Sequence, residues 1–387
     1  MRVYPRVIVA VYCLVAIGFF GVGALGRFGK SLDYDFVTYW SASYLTLAGR
    51  PAAAFDLEAN TAAQRLVVPS STKIYPWHYP PTYQLLIAPL ALLPYLPSYL
   101  AFASASLLAY VAALRRLLPW PDATWLLLAF PGAFACALHG QNSLLSAALF
   151  AVGIGSLRDR PLVAGICFGL LAYKPQLGIL LPFALLAAGC WRTLAAGALT
   201  ALGFAAAATA VLGAELWRDF IDHFPLVRAI MEQGLVPWAK MPTAFVFLRF
   251  LGASQSLAYA GQILSALLGA TAVVLVWRRR GPSLLAGAVL VSATLIVSPY
   301  TFDYEAALLA IPLAILAADM ARRGAARWEK LALLLLFAAP AFMSALAEAT
   351  HLQVGYLVTL AALFLSGRRA LAPAPRDNGG EQVSATA

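Results

Sequence analysis

Two carboxylates stand two residues apart in the stretch SLDYDFVTYW: Asp33 and Asp35, flanked by Tyr34, Phe36, Tyr39 and Trp40. The stretch follows the first long apolar segment and opens the longest polar interval before the apolar segments resume. Acids in such a place are costly and become functional candidates once partners are named. Partners are available at the ends of other apolar segments. His78 and Tyr79 precede the Pro80–Pro81 break, and His139, Gln141 and Asn142 share one hairpin. Tyr173, Lys174 and Gln176 share another, Arg218, Asp222, His223 and Arg228 sit in a second polar loop, and Asp303, Tyr304 and Glu305 follow a later segment. A carboxylate can take the proton from an attacking hydroxyl. A Lys, Arg or His can hold a phosphate that leaves. Together these residue types suit group transfer from a lipid phosphate at a membrane surface.

Each piece also has a plainer reading. Asp33 and Asp35 fit solvated loop acids at a helix start. Lys174 fits an interfacial lysine that snorkels, His139 a hairpin cap, and Asp303 and Glu305 acids favoured by a helix dipole. Trp40, Trp77, Tyr79 and Tyr300 fit an interfacial aromatic belt, which looks like a sugar-binding surface at this level. Asp33-Tyr34-Asp35 is formally a DxD, but there is no HExxH and no His pair one helical turn apart, so no metal site or cofactor is expected. No Gly-rich phosphate loop, GxSxG elbow or ATP-binding motif occurs.

The elements that must position these residues are membrane helices. The chain has 387 residues, 62% hydrophobic and 11% charged, with a mean hydropathy of +0.79. Soluble domains carry about a quarter charged residues. The apolar stretches are rich in Ala, Leu and Gly, which suits close packing of helices in lipid, and lack the short alternation of a membrane β-barrel. The net charge of +10 is explained by basic residues at cytoplasmic helix ends and not by nucleic-acid binding, for which no interleaved basic–aromatic patch exists. The four cysteines lie in apolar segments and form no CxxC pair, so neither a disulfide framework nor a thiolate site is expected.

At roughly 20 residues per crossing, the apolar segments give about twelve spans with both termini inside. The N-terminal segment, after Arg2 and Arg6 and without a clear cleavage site, reads as a retained first span. Arg115–Arg116, Arg278–Arg280, Arg322–Arg323 and Arg368–Arg369 mark inside ends. The histidines and the acids named above then all fall outside. The Pro-interrupted 83–96 segment reads as re-entrant or interfacial. Residues 1–369 form one membrane domain, and 370–387 read as a disordered cytoplasmic tail.

The order of motifs resembles the integral-membrane glycosyltransferases of family 87, of the GT-C class. The residues that carry the resemblance are DFVTYWSASYLTLAGRPAAAFD (35–56), YPPTYQLLIAPLALLP (79–94), GQNSLL (140–145), YKPQLGILLP (173–182) and SPYTFDY (298–304). It implies an all-α, polytopic GT-C-type bundle with catalytic loops on the outer face of a bacterial plasma membrane. It implies transfer of a hexose, mannose first, from a polyprenyl-phosphate sugar to an envelope glycolipid or glycan, with inversion. In that family the acid after the first span is the catalytic base, which falls on Asp35, with Asp33 second. Mannosyltransferases of the family place a histidine pair after the SP motif for the donor phosphate. Here that stretch reads FDYE, without histidine, which leaves Lys174 as the expected phosphate partner. Gln176, His78, Tyr79, His139, Gln141, Asp303, Tyr304 and Arg218 complete the expected substrate-binding set. The rival reading is a transporter or flippase of a lipid-linked sugar with no covalent chemistry, which would show repeated halves and mid-span polar groups.

Overall fold

The computed structural model describes residues 3–24 and 34–373. Asp33 and the chain beyond residue 373 lie outside the described residues. The described residues form helices and loops, with no strand among them.

The first helix, α1 (Val3–Ala24), is apolar all round and largely uncovered, as a lipid-facing helix is. It touches the body through rings, Tyr12 stacked on Phe134 at 4.0 Å and Phe20 edge-on to Tyr99 at 5.2 Å. Short helices follow: α2 (Phe36–Leu47), α3 (Leu57–Arg65) and α4 (Pro81–Ile87). Asp56 caps α3 by accepting from the Ala59 amide at 2.7 Å. Pro81 opens α4 at the one helical position where a missing N–H costs nothing. A 3-10 turn (Ala88–Leu92) continues from α4 onto α2, so the 83–96 stretch is a broken helical strap packed on protein.

The chain then builds α5 (Tyr95–Leu114), α6 (Ala123–Leu128), α7 (Pro131–His139), α8 (Ser143–Ser156), α9 (Pro161–Leu170), α10 (Pro175–Gly178), α11 (Leu181–Ala187) and α12 (Trp191–Leu212). Proline again opens α7, α9 and α10. Helices α9 and α12 approach closely because Gly165 and Gly169 of α9 both face the backbone of α12. A Cβ at Gly165 would fall 2.6 Å from the Thr193 carbonyl oxygen. The second polar loop is itself folded, into α13 (Glu215–Asp222), α14 (Phe224–Glu232) and a 3-10 turn (Trp238–Lys240). It leads through α15 (Ala244–Phe250) to the long α16 (Gln255–Arg280).

The core lies around α17 (Leu284–Val297), nearly every side chain of which is buried. It packs against α8, α16, α18 (Ala310–Arg323) and α21 (Val354–Leu371). Between them run α19 (Arg327–Ala338) and α20 (Met343–Thr350). Arg369 of α21 ties this end together, with Nε 2.6 Å from Asp319 Oδ2 and Nη1 3.1 Å from Glu329 Oε2.

Among the described residues six helices are long and apolar enough to cross a membrane: Val3–Gly21, Tyr95–Leu117, Trp191–Leu212, Gln255–Arg280, Asp303–Arg323 and Val354–Leu371. A seventh results if Arg327–Ala341 and Met343–Thr350, bent by 74°, count as one span. The twelve apolar segments of the sequence therefore do not each become a full-length crossing helix. Several, among them Ser143–Ser156, Pro161–Tyr173 and Leu284–Val297, are shorter apolar helices. Ser143–Ser156 and Leu284–Val297 are apolar because they pack inside the protein, where hydropathy reads the same as in lipid. The architecture is a multi-pass, all-helical membrane protein.

Candidate functional site

Five chain segments converge at one end of the bundle. Asp35 precedes α2, His139 ends α7, and Gly140–Asn142 turn the chain into α8. Lys174 follows the 3-10 turn after α9, Ser298 follows α17, and Asp303–Leu309 form the turn that enters α18. Gly140 makes the α7–α8 turn possible. Its φ is +65°, and a Cβ there would sit 2.6 Å from Phe36 Cβ, the residue after Asp35. The turn is thus pressed against the start of α2.

Asp35 carries no helix-capping bond of its own. Its Oδ2 lies 3.9 Å from His139 Nδ1, and its side chain is 27% exposed. Desolvation raises the Asp35 pKa, against the opposing pull of His139, a hydrogen bond from Gln141 and the Lys240 charge, while Asp303 adds to the rise. Desolvation lowers the His139 pKa, against the pull of Asp35. Each member of the pair is held closer to its uncharged form than in water, and the carboxylate is a correspondingly better base. Tyr34 stacks on the His139 ring at 5.7 Å.

Gln141 links the acid to a wall of tyrosines. Its Oε1 accepts from Tyr39 Oη, and from Tyr79 Oη at 3.3 Å, and the two hydroxyls lie 2.8 Å apart. Behind them Trp77 stacks on Tyr83 at 5.8 Å and Tyr83 on Tyr173 at 5.2 Å. Trp77 is 0% exposed, and Trp40 is buried with its Nε1 donating to the Leu93 carbonyl at 3.1 Å. These two tryptophans belong to the packing under the site and not to an interfacial belt. The sequence could not separate the two because both place aromatics near polar loops.

Lys174 is only 2% exposed and fully engaged. Its Nζ lies 2.8 Å from Glu305 Oε1, donates to Asn142 Oδ1 at 3.0 Å and sits 5.4 Å from the Tyr304 ring centroid. A buried ammonium already neutralised by a carboxylate is a poor receptor for a leaving phosphate. Asp303 Oδ2 accepts from Ser344 Oγ at 2.8 Å. Asp303 Oδ1, Glu305 Oε2 and Asn142 Nδ2 are buried polar atoms with no hydrogen-bond partner among the described residues. Such atoms call for a ligand or water. Tyr304 stacks on Phe302 at 5.4 Å and meets the His139 ring edge at 6.5 Å.

The polar loops contribute a second pair. His78 Nδ1 lies 3.1 Å from His223 Nε2, joining the 72–80 strap to the α13–α14 corner. Tyr300 meets the His78 ring edge-on at 6.0 Å, and Phe55 meets His223 at 5.7 Å. Burial pushes the His78 pKa down to about 3 and lowers that of His223, so the pair is neutral.

The site thus gathers Asp35, His139, Gln141, Tyr79, Lys174, Asp303 and Tyr304, with His78 on its flank. Gln176 sits half-buried on α10 without a side-chain hydrogen bond among the described residues. Arg218 projects exposed from α13, with no ion pair among the described residues. Neither joins the cluster. Residue types alone named Tyr39, Asn142, His223 and Glu305 near the site but did not pair Glu305 and Asn142 with Lys174, Tyr39 with Gln141, or His223 with His78. Lys240 and Ser344 carried no sequence signal at all, since each is one polar residue in a segment read as a loop or a span.

A multi-pass helical protein with a carboxylate-centred polar site beside buried aromatics is the class defined so far. The sequence model of glycosyltransferase family 87 matches residues 77–299, more than half of the chain, and the chain belongs to that family. It is a membrane glycosyltransferase. The matched range holds His78, His139, Gln141 and Lys174 and ends within the loop before Asp303, whereas Asp35 lies outside it. No curated protein and no solved structure matches the chain.

Proposed function

We propose that this glycosyltransferase moves a hexose, mannose first, from a polyprenyl-phosphate donor to a glycolipid or glycan acceptor of the cell envelope, with inversion and with Asp35 as base. The observation that carries the reading is the Asp35 carboxylate held beside His139 and Gln141 with its basicity raised by burial. The acceptor oxygen forms a bond to the anomeric carbon as its proton passes to Asp35. The bond from that carbon to the phosphate oxygen breaks, and the polyprenyl phosphate leaves with the electron pair. A phosphate is already a good leaving group, so the protein's task is to position and to stabilise charge.

The Lys174–Glu305–Asn142 cluster is the organiser of this site and not the receptor of the phosphate. Lys240, whose charge acts on both Asp35 and His139, is the better candidate for that role. Asp303 and Glu305, each with an unpaired buried oxygen, suit sugar hydroxyls. Asp33 remains second to Asp35 as base. We place the site on the outer face of a bacterial plasma membrane, in a GT-C-type bundle with both termini cytoplasmic. The arginines at the far ends of α8, α16, α18 and α21 support that orientation.

The test offers purified protein a panel of polyprenyl-phosphate sugars with envelope extract as acceptor. Transfer from one donor, lost on Asp35→Asn with the fold retained, establishes the donor class and the base together. Transfer that survives moves the base away from Asp35. Movement of a lipid-linked sugar across vesicles without transfer puts a flippase in its place.

A further inference from the structure

A second polar site lies at the opposite end of the same helices. A cavity of about 480 Å³ opens where α8 ends, α17 begins and α18 and α21 end. Arg158, Arg280, Arg322 and Arg323 line it, with Asp159 as the acid among the lining residues. Their guanidinium groups are held mostly by backbone carbonyls. Arg158 Nε donates to the Pro282 carbonyl at 2.7 Å, Arg280 Nη2 to that of Ala372 at 2.6 Å, and Arg323 Nη2 to that of Pro373 at 2.9 Å. A carbonyl fixes the fork without cancelling its charge. Two further acids close by are taken up elsewhere, Glu329 by Arg368 and Arg369, and Asp319 by Arg369 with a weaker contact to Arg323 at 3.5 Å, which leaves Asp159 against four arginines in the lining.

The start of α17 faces the same space. The Ser283 side chain accepts from the Ala286 amide at 3.3 Å. The amides of Leu284 and Leu285, both lining the cavity, belong to the first turn and have no hydrogen-bond acceptor among the described residues. Forked cations and a helix start pointing into one concavity make a phosphate site. Ile154, Leu284 and Leu285 beside them give it an apolar flank.

We propose that this cavity binds a phosphate group, carried by an anionic phospholipid or by a free phosphate ester, at a site separate from the Asp35 centre. Basic pockets between membrane helices are suited to anionic headgroups. Occupation bridges the ends of α8, α17 and α18, whose other ends carry the Asp35 site.

The experiment uses the full-length protein in mild detergent, with phosphatidylglycerol, phosphatidylcholine and inorganic phosphate as probes. Melting temperature and lipid retained in native mass spectra are read. Phosphatidylglycerol is expected to stabilise the protein and to be retained, and phosphatidylcholine not. The double variant Arg158→Gln/Arg322→Gln is expected to lose roughly tenfold or more in phosphatidylglycerol affinity. Arg116→Gln/Arg192→Gln, which removes the same charge outside the cavity, is expected to keep it. Displacement by inorganic phosphate assigns the free ester, and resistance to it assigns the lipid. Equal retention of the two lipids by the native protein, or equal losses in the two double variants, overturns the proposal. The single variant Arg158→Gln gives the same ranking where the double variant does not fold.

Discussion

Lys174 Nζ lies 2.8 Å from Glu305 Oε1, and both side chains are sealed from solvent. The pair joins the turn after α9 to the turn that enters α18, at the point where the polar site meets the core. Removing one partner leaves a charge buried alone, which costs about 3–5 kcal/mol. Lys174→Met is therefore expected to lower the melting temperature strongly. Lys174→Met/Glu305→Leu is expected to recover most of that loss, because no lone charge remains. Thermal unfolding of the two variants, measured side by side, checks this. If the single change melted no lower than the double, the pair would not be the organiser described.

The Asp35–His139 contact predicts a pH profile. The base acts ionised, so transfer should rise with pH through the Asp35 pKa, which lies above the ordinary carboxylate range. The interaction with His139 opposes the rise that burial causes in that pKa. His139→Gln is therefore expected to move the rising limb to higher pH, with a fall in rate most visible on the acid side. Initial rates across the acid range for native protein and variant decide it, and an unmoved limb would separate His139 from the acid.

The His78–His223 pair predicts acid sensitivity of the fold. The His78 pKa is lowered from 6.5 to about 3 in the folded protein. Its unfolded form binds a proton first, so the stability tied to the neutral ring is fully present above about pH 6.5 and is lost as pH falls below it. His78→Gln, which keeps a polar group toward His223, is expected to flatten the fall in melting temperature between neutral and mildly acidic pH. An identical slope in the variant would mean that other groups set the acid limit.

Gly140 is predicted to be intolerant of a side chain. Gly140→Ala places a Cβ in a left-handed turn and against Phe36 and Tyr99. A loss of about 1–3 kcal/mol is expected from backbone strain alone. Because Phe36 follows Asp35, transfer activity should fall further than stability does. Activity measured well below the melting temperature separates the two effects.

The membrane class, and the gathering of Asp35, His139, Gln141, Lys174 and Asp303 at one end, were legible in the sequence. Basic residues marked one set of helix ends, and acids and histidines the other. What stayed hidden was pairing and depth. Nothing local says that Lys174 meets Glu305 and not a substrate, since the contact depends on how α9 and α18 are packed. Nor does hydropathy tell Leu284–Val297, an inner helix, from a lipid-facing span. Trp77 read as interfacial for a related reason: adjacency to a polar loop says nothing of what lies on top of the ring.

The shortness of α17 has an electrical consequence. Its 14 residues measure about 21 Å along the axis, against about 30 Å for the hydrocarbon thickness of a bilayer. If water reaches the polar groups at both of its ends, the insulating layer there is only as thick as this helix is long. A transmembrane voltage dropped across it gives a field roughly one and a half times that in the surrounding lipid. A charged headgroup at either end of α17 therefore feels the potential more steeply than the same headgroup in the bilayer, and the energised state of the membrane becomes a variable of how tightly it is held.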